Sequence, residues 1–342
     1  MVTIEDVAKK ANVSLMTVSR VVNKNGSVRE STRKKVLKAI NDLGYKPNIS
    51  AKELVGGKSK TIGILSSNYY NQAYVDIVVA IEEYAYEKGF VVLNSNVNDY
   101  ESAYNALELF LGKHVQGIIV LPLEMKMSEV DDYHLSMNEI SRFSRYFQET
   151  VGKYHVPAIT ISQKIQGIEN VAFDFVGLAK TAMDYLIGAG YKDISMINSN
   201  LNDGFWKEKE EIYVSKMKEA GLEDYIRVER DTAIAEGGNQ AMRKLLEKHT
   251  PRVVFCANDF MAIGALQVLY ENNLKVPDDV AVMGNDNVFL CELTSPKLTT
   301  VALNAKEGGQ RAIERLFEKM NGDESVQIDQ TVRIDLVKRK SV

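Results

Sequence analysis

A chain of 342 residues is too long for one ordinary domain and implies two or three units, each able to bury its own core. Its 45% hydrophobic and 26% charged residues match a soluble globular protein. The longest apolar stretches, such as Gly117–Leu123 and Ile194–Ile197, are strand length, well short of the roughly 20 residues of a membrane span. The net charge of −4 hides an asymmetry: residues 1–60 carry 13 Lys/Arg against 5 Asp/Glu, leaving 29 of 42 basic and 41 of 46 acidic residues to the remainder. A basic head on an acidic body points to a polyanionic partner for the head alone, bound with steep salt dependence because phosphate contacts release counterions.

Met1 leads directly into a charged amphipathic segment, so no signal peptide is expected. Cys256 and Cys291 lie in apolar surroundings with no histidine nearby in sequence, and read as buried, inert thiols in a reducing compartment. The expected location is the cytoplasm, with no membrane partner.

The first element, Val2 to Ala11, is a short helix capped by Thr3, with Asp6 completing a capping-box pair. Ile4, Val7, Ala8 and Ala11 recur at helical spacing on one face. Asn12-Val13-Ser14 breaks the helix, and Ser14 caps a second one. There Val18, Val21 and Val22 turn inward, while Leu15, Met16, Ser19, Arg20 and Asn23 form the outer face. Helix, three-residue turn and helix is the helix-turn-helix design, whose second helix enters the major groove N-terminus first. Leu15 and Met16 stand at that tip, suited to thymine methyls, and Arg20 can donate to guanine O6 and N7. Thr3, Ser14, Thr17, Asn23, Ser27 and Thr32 are short hydrogen-bonding groups suited to phosphate oxygens.

A third helix, about Ser31 to Leu43, is expected to bury Val36, Leu37, Ile40 and Leu43 and to show Arg33, Lys34, Lys35 and Lys38 outward. Gly44 suits its stop and Pro47 prevents continuation. Asn48 to Leu54, between Pro47 and Gly56-Gly57, is too short for a stable helix alone in water. It reads either as a flexible linker or as a segment that orders on DNA and inserts Leu54 into the minor groove as an apolar wedge.

The run Thr3-Ile4-Glu5-Asp6-Val7-Ala8, Val13-Ser14 and Thr17-Val18-Ser19-Arg20-Val21-Val22-Asn23 resembles the lactose-repressor (LacI/GalR) family. Thr32-Arg33, Leu43-Gly44-Tyr45, Pro47-Asn48, Ala51 and Leu54 continue the match. The resemblance implies a three-helix head and a hinge helix, with two heads of a homodimer reading a near-palindromic double-stranded operator. It assigns base reading to Leu15, Met16 and Arg20 and the wedge to Leu54, and adds Ser19, Tyr45, Asn48 and Ala51 to the DNA-contacting set. Val55 departs from the smaller alanine usual in the family.

Beyond Lys60 strands alternate with amphipathic helices. Strand-like segments are Thr61–Leu65, Val91–Asn94, Gly117–Leu121, Ala158–Ile161, Ile194–Asn198, Val253–Ala257 and Val280–Met283. Helical stretches include Ala73–Lys88, Gly177–Gly188, Tyr213–Ala220, Gly238–Lys248 and Ala262–Glu271. That alternation predicts parallel sheets covered on both faces, and the number of strands favours two doubly wound lobes with a ligand cleft between them. Ile62-Gly63-Ile64, Gly117-Ile118-Ile119, Ala257-Asn258-Asp259, Val282-Met283-Gly284-Asn285-Asp286, Leu298-Thr299-Thr300-Val301 and Leu336-Val337-Lys338-Arg339 resemble the effector core of the same family, which is periplasmic-binding-protein-like.

The fold expected is therefore an all-α helix-turn-helix head joined to an α/β effector core. The head spans 1–46, the hinge segment 47–60, the first lobe 61–161 with 293–320, and the second lobe 162–292 with 321–342. By this mapping the chain crosses between lobes near Ser162, Glu292 and Asn321, and three crossings make a hinge. The resemblance puts Asn71 and Tyr74 on the first wall of an effector site, and Asp174, Lys209, Asn258 and Asp286 on the second. Lys209 stands where the family has an arginine, and lysine lacks the planar fork. Gln72-Ala73 replaces a proline-aromatic pair, Thr232 and Ala305 fall where many sugar-binding members carry rings, and Tyr69, Tyr70 and Trp206 add aromatic surface nearby. Extra length between Leu121 and Pro157, with apolar spacing from Met137 to Phe147, predicts an added helix: a solvent-facing insertion, or a lid or subunit contact.

An enzyme is disfavoured. There is no phosphate-cradling glycine loop, no Gly-x-Ser-x-Gly elbow, and His114, His134, His155 and His249 lack metal-ligand spacing, so no catalytic residue, metal or cofactor is expected. The function expected is a DNA-binding regulator, a repressor, whose small-molecule effector (a sugar or sugar derivative) changes the lobe angle and so orders or disorders the hinge. The alternative is a global catabolite regulator with a phosphoprotein corepressor.

Overall fold

Three capped helices build the head: α1 (Ile4–Ala11), α2 (Leu15–Val22) and α3 (Glu30–Leu43). The computed structural model describes residues 2–23, 25–46, 59–67, 72–123, 133–200, 204–323, 325 and 330–342. Its contacts divide the chain into two compact units, Met1–Ser59 and Lys60–Val342. In the head, Val7, Ala8, Ala11, Val18, Val21, Val36 and Ala39 close one small core, with Ile4, Val22, Ile40, Leu43 and Tyr45 packed around it. Leu37 departs from the expectation: it is 51% exposed, and Ala39 is buried in its stead. Val36, Ala39, Ile40 and Leu43 follow the i, i+3, i+4, i+7 spacing, whereas Leu37 falls one step around the helix from that face.

In the second unit, one sheet contains β1 (Thr61–Ser66), β2 (Val91–Asn96), β3 (Gly117–Val120), β4 (Ala158–Ile161), β5 (Glu169–Phe173) and β11 (Gln330–Val332), in the order β11-β5-β4-β3-β1-β2. All its pairings are parallel. The other sheet contains β6 (Ile194–Ser199), β7 (Arg227–Asp231), β8 (Val253–Cys256), β9 (Ala281–Asp286), β10 (Thr299–Ala302) and β12 (Asp335–Val337), in the order β12-β10-β9-β8-β6-β7. Only β12 runs antiparallel, against β10. Central strands such as β3, β4, β8 and β10 are buried along their whole length, which is why they read as continuous apolar runs and not as alternating ones.

Helices α4 (Gln72–Glu87) and α11 (Ala305–Met320) pack together on one face of the first sheet, and α5 (Tyr100–Gly112) with α6 (Tyr133–Lys153) covers the other. On the second sheet α7 (Phe175–Gly188) and α8 (Gly204–Glu219) lie opposite α9 (Ala235–Lys248) and α10 (Asp259–Glu271). The added helix is α6, longer than its expected Met137–Phe147 core. It packs one face on the lobe and turns the other to solvent: Phe143, Phe147 and Val151 are buried against Ala103, Leu107 and Phe110, Tyr104 meets Phe143 edge-on at 5.4 Å, and Ser141, Arg142, Arg145 and Glu149 are exposed.

Sheet membership also moves the crossings. β5 belongs to the first sheet and β10 to the second, so the chain passes between sheets after Phe173, after Ala302 and after Val332. The expected points near Ser162, Glu292 and Asn321 each fall one strand too early, before β5, β10 and β11. Glu169–Phe173 and Arg227–Asp231 escape a pattern search because each mixes polar with apolar residues in only five positions.

Candidate DNA interface and effector cleft

Thr3 caps α1 as expected: its hydroxyl accepts from the Asp6 N–H, and the Asp6 carboxylate accepts from the Thr3 N–H at 2.9 Å. These bonds hold the Asp6 carboxyl below its ordinary value. Asn12, in the left-handed region at φ 52°, turns the chain, and Ser14 caps α2 through the Thr17 N–H. The Ser14 and Thr17 hydroxyls are themselves 2.9 Å apart. With Val18 and Val21 committed to the core, α2 turns Leu15 and Met16 to solvent, 46% and 65% exposed. Arg20 is exposed one turn on, and Asn23 donates to the Ser19 hydroxyl at 3.2 Å. Ser27 is exposed, while Thr32 and Tyr45 are half-buried. Asn48, Ala51, Leu54 and Val55 lie outside the described residues.

In the core the sequence-predicted effector residues cluster at the carboxyl ends of strands, but they are not equivalent. Asp174 follows β5 and caps α7, accepting from the Gly177 N–H at 2.7 Å. Asn258 follows β8 and caps α10, accepting from the Met261 N–H at 2.8 Å and donating to the Ala233 carbonyl at 2.9 Å. Asp286 ends β9 at φ 108°, and Asn287 follows at φ 59°. Two successive non-glycine residues at positive φ are uncommon and persist only where their surroundings enforce them. Tyr74, in the first turn of α4, is buried in the core with Ile77 and Ile81. Asn71, Tyr69 and Tyr70 lie outside the described residues.

Lys209 is the surprise of the set. It is 1% exposed, and its ammonium donates to the Ala257 carbonyl at 2.7 Å. The rings of Phe205 and Trp206 lie 5.7 and 5.4 Å from the nitrogen, and Phe205 stacks on Phe175 at 4.8 Å. Burial lowers the Lys209 pKa, against the raising influence of Asp286 and Asp259. Trp206, Lys209, Tyr213 and Met217 form the buried stripe of α8, so a run that reads as charged carries a lysine on its inner face.

A cavity of about 340 Å³ opens between the start of α4, the ends of β9 and β10 and the start of α11. Asp76 of α4, Asp286 and Asn287 after β9, and Asn304, Lys306 and Glu307 after β10 supply its polar lining. Ala305, in place of a ring, leaves space there. Of the predicted residues that are described, Asp286 alone lines it; Asp76, Asn287, Asn304, Lys306 and Glu307 were missed. Asn304 at φ 53° had one legible signal, an asparagine at a strand-to-helix turn. Asn285, fully buried beside Asp286, has neither amide atom paired among the described residues. Also among the described residues, no cluster of side chains could hold a metal, and no helix is long and apolar enough to cross a membrane.

Residues 3–48 match the model for bacterial regulatory proteins of the lacI family, and residues 183–342 match a periplasmic binding protein-like domain. The chain is 33% identical over 354 residues to the HTH-type transcriptional repressor PurR of Pasteurella multocida, covering 100% of this chain and 99% of the relative. It is 33% identical over 332 residues to catabolite control protein A of Priestia megaterium, covering 94% and 93%. Among solved structures, the lac repressor dimer bound to operator and the anti-inducer ONPF superposes with a TM-score of 0.78 at 28% identity, covering 99% of this chain and 98% of that one. A complex of the transcriptional regulator CelR with cellobiose gives 0.67 at 25% identity, covering 100% of both chains. A capped helix-turn-helix head ahead of a two-sheet core, and similarity over its full length, make this chain a member of the LacI family of DNA-binding transcriptional repressors, with a ligand-binding core and not an enzyme's active site.

Proposed function

We propose that the chain is a cytoplasmic repressor that binds a near-palindromic operator as a homodimer, under control of a sugar or sugar derivative held between the lobes of its core. The observation that carries the DNA half is the outward Leu15-Met16 tip of α2, on a helix whose other face is committed to the head core. Leu15, Met16 and Arg20 read bases. Thr3, Ser14, Thr17, Ser19, Asn23, Ser27, Thr32, Tyr45 and Asn48 fix register on the backbone, and Ala51 and Leu54 engage the minor groove. Two heads are needed for a palindrome, and the second lobe offers an apolar strip for pairing: Phe289 and Leu293 are 68% and 65% exposed.

The cavity beside Asp286 supports the effector half. Carboxylates and amides that converge on about 340 Å³ match the alternating donors and acceptors of a polyhydroxylated ligand, and the relative CelR was solved with cellobiose. Of the proposed effector set of Asn71, Tyr74, Asp174, Lys209, Asn258 and Asp286, Asp286 is the described member that lines this cavity; Lys209 acts from behind, fixing the end of β8 by its bond to Ala257. The match to catabolite control protein A supports a second reading, a global regulator with a phosphoprotein corepressor. Selection of binding sites from random duplex DNA by the full chain tests the operator half, and symmetric half-sites are the expected product. A thermal-shift screen of carbohydrates, sugar phosphates and nucleobases tests the ligand half. Stabilisation by nucleobases alone refutes the sugar reading, and no stabilisation by any of them leaves the corepressor reading in its place.

A further inference from the structure

Asp259 opens α10 with its carboxylate fully buried, and three groups converge on it. The Thr300 hydroxyl of β10 donates to one oxygen at 2.6 Å, and the Val288 N–H donates to the other at 2.9 Å. The buried Cys291 thiol is the third, its pKa raised first by burial and then by the Asp259 charge. Thr300 in turn accepts from the Asn287 N–H at 3.4 Å. Room for the carboxylate exists because β9 has a glycine beneath it: a Cβ on Gly284 would stand 2.1 Å from the Asp259 oxygen.

The segment so gripped has two ends of different character. Asp286, Asn287 and Val288 line the cavity, and the first two hold the positive φ angles. Phe289, Leu290 and Leu293 turn outward at 68%, 40% and 65% exposure. Arg339 secures the outer side, donating to the Asn287 side-chain oxygen at 2.8 Å and to Glu292 at 2.6 Å. Coupling between two surfaces requires an element with two arrangements, and a strained turn held by a few polar contacts is the place in this lobe where such an element is to be sought.

We propose that Asp259 is a positioning residue that locks the Asp286–Leu293 segment, so that a ligand reaching Asp286 works through this lock on the exposed apolar strip Phe289-Leu290-Leu293. This rests on the cavity being the effector site and the strip being the subunit contact. The groups that face the carboxylate are Asp286 at the end of β9, Cys291 after it, Cys256 of β8 and Lys209 of α8, with Arg339 acting on Cys291 from the last segment. The ion most exposed to ligand, Asp286, thus bears directly on the charge at the lock.

The chain's two cysteines make the test internal: both lie near the Asp259 carboxylate, but Cys291 rides on the gripped segment whereas Cys256 is held in β8. Full-length wild type, Asp259→Asn and Thr300→Val are treated with a maleimide, and each cysteine is followed by peptide mass spectrometry. The reaction is run at pH 8, where the Asp259 carboxyl is ionised; asparagine then offers one acceptor oxygen in place of two, and valine removes the hydroxyl donor. Both variants are expected to label at Cys291 about tenfold faster with Cys256 changed by less than about twofold, the mark of local opening. Equal acceleration at both cysteines, or none at Cys291, overturns the lock. If Asp259→Asn does not fold, Thr300→Val carries the test. Sedimentation equilibrium of the same proteins separates the coupling from the homodimer reading. Dimerisation weakened about tenfold in the variants supports coupling. Unchanged dimerisation of a variant whose Cys291 has opened overturns the coupling alone. A wild type that stays monomeric overturns coupling and homodimer together.

Discussion

The Lys209 ammonium and the Ala257 carbonyl, 2.7 Å apart, tie α8 to the end of β8 under the rings of Phe205 and Trp206. Removal of the donor strands a buried acceptor. Lys209→Met, which keeps length and flexibility, is expected to lower stability by about 1–3 kcal/mol, read by urea denaturation. Lys209→Arg restores the family's residue but needs a wider planar head in a space that leaves the lysine 1% exposed. It is expected to cost a further loss of about 1–3 kcal/mol from overpacking. Wild-type stability in Lys209→Arg would show that the pocket admits the fork after all.

Leu15 and Met16 separate DNA reading from folding, because neither contributes to the head core. Leu15→Ala and Met16→Ala are expected to shift stability by less than about 0.5 kcal/mol. Each is expected to weaken binding to the selected operator by about 1 kcal/mol or more, chiefly where a thymine methyl is lost. Arg20→Ala should relax preference at a guanine and not merely lower affinity uniformly. Leu54→Ala should weaken operator binding with thermal stability unchanged. Fluorescence anisotropy on the selected duplex and its single-base variants decides each case.

The head was legible almost to the residue because its signals are local. Thr3 with Asp6, Ser14 with Thr17, and the α1 apolar stripe each lie within one or two turns, where sequence spacing and spatial proximity coincide. Leu37 was misplaced for the same reason in reverse: hydrophobicity alone put it inside, whereas the face through Val36 and Ala39 excludes it. In the core the alternation of strands and helices revealed the architecture but not the crossings, since nothing local to Phe173 or Ala302 says which sheet a strand joins. The cavity lining was hidden for a related reason. Asp76 and Glu307 are distant in sequence and meet only once α4 and α11 pack together. Lys209 was legible as a position but not as a buried one, because a lysine within a charged run looks solvated until the stripe from Trp206 to Met217 is laid against the sheet.

Phe143 tests whether α6 is part of the lobe. Its ring is fully buried and meets Tyr104 at 5.4 Å and Phe147 at 6.1 Å. Phe143→Ala is expected to destabilise the chain by about 3–5 kcal/mol, the cost of emptying an aromatic site. A lid or detachable insertion would lose far less. Thermal denaturation followed by circular dichroism distinguishes the two.

Asp259 predicts a pH dependence of unusual sign. Burial and the neighbouring Asp286 charge push its carboxyl from the ordinary 3.8 up to about 7. The folded chain therefore holds a proton there that the unfolded chain releases, and folding binds protons between those two values. Stability from this group is fully present below pH 3.8 and is lost as pH rises toward 7. Glu169 and Asp231 work the other way: ion pairs with Arg315 and Lys319, and with Lys244, lower their values, so their stability is lost as pH falls through the low folded values. The two windows meet near pH 4, and between pH 5 and 7 Asp259 dominates. Wild type is expected to melt at progressively lower temperature across that interval, and Asp259→Asn to show a flatter profile. A wild-type melting temperature that rises from pH 5 to 7 would mean that the Asp259 carboxylate is already ionised at pH 5, its charge carried by the Thr300 and Val288 donors.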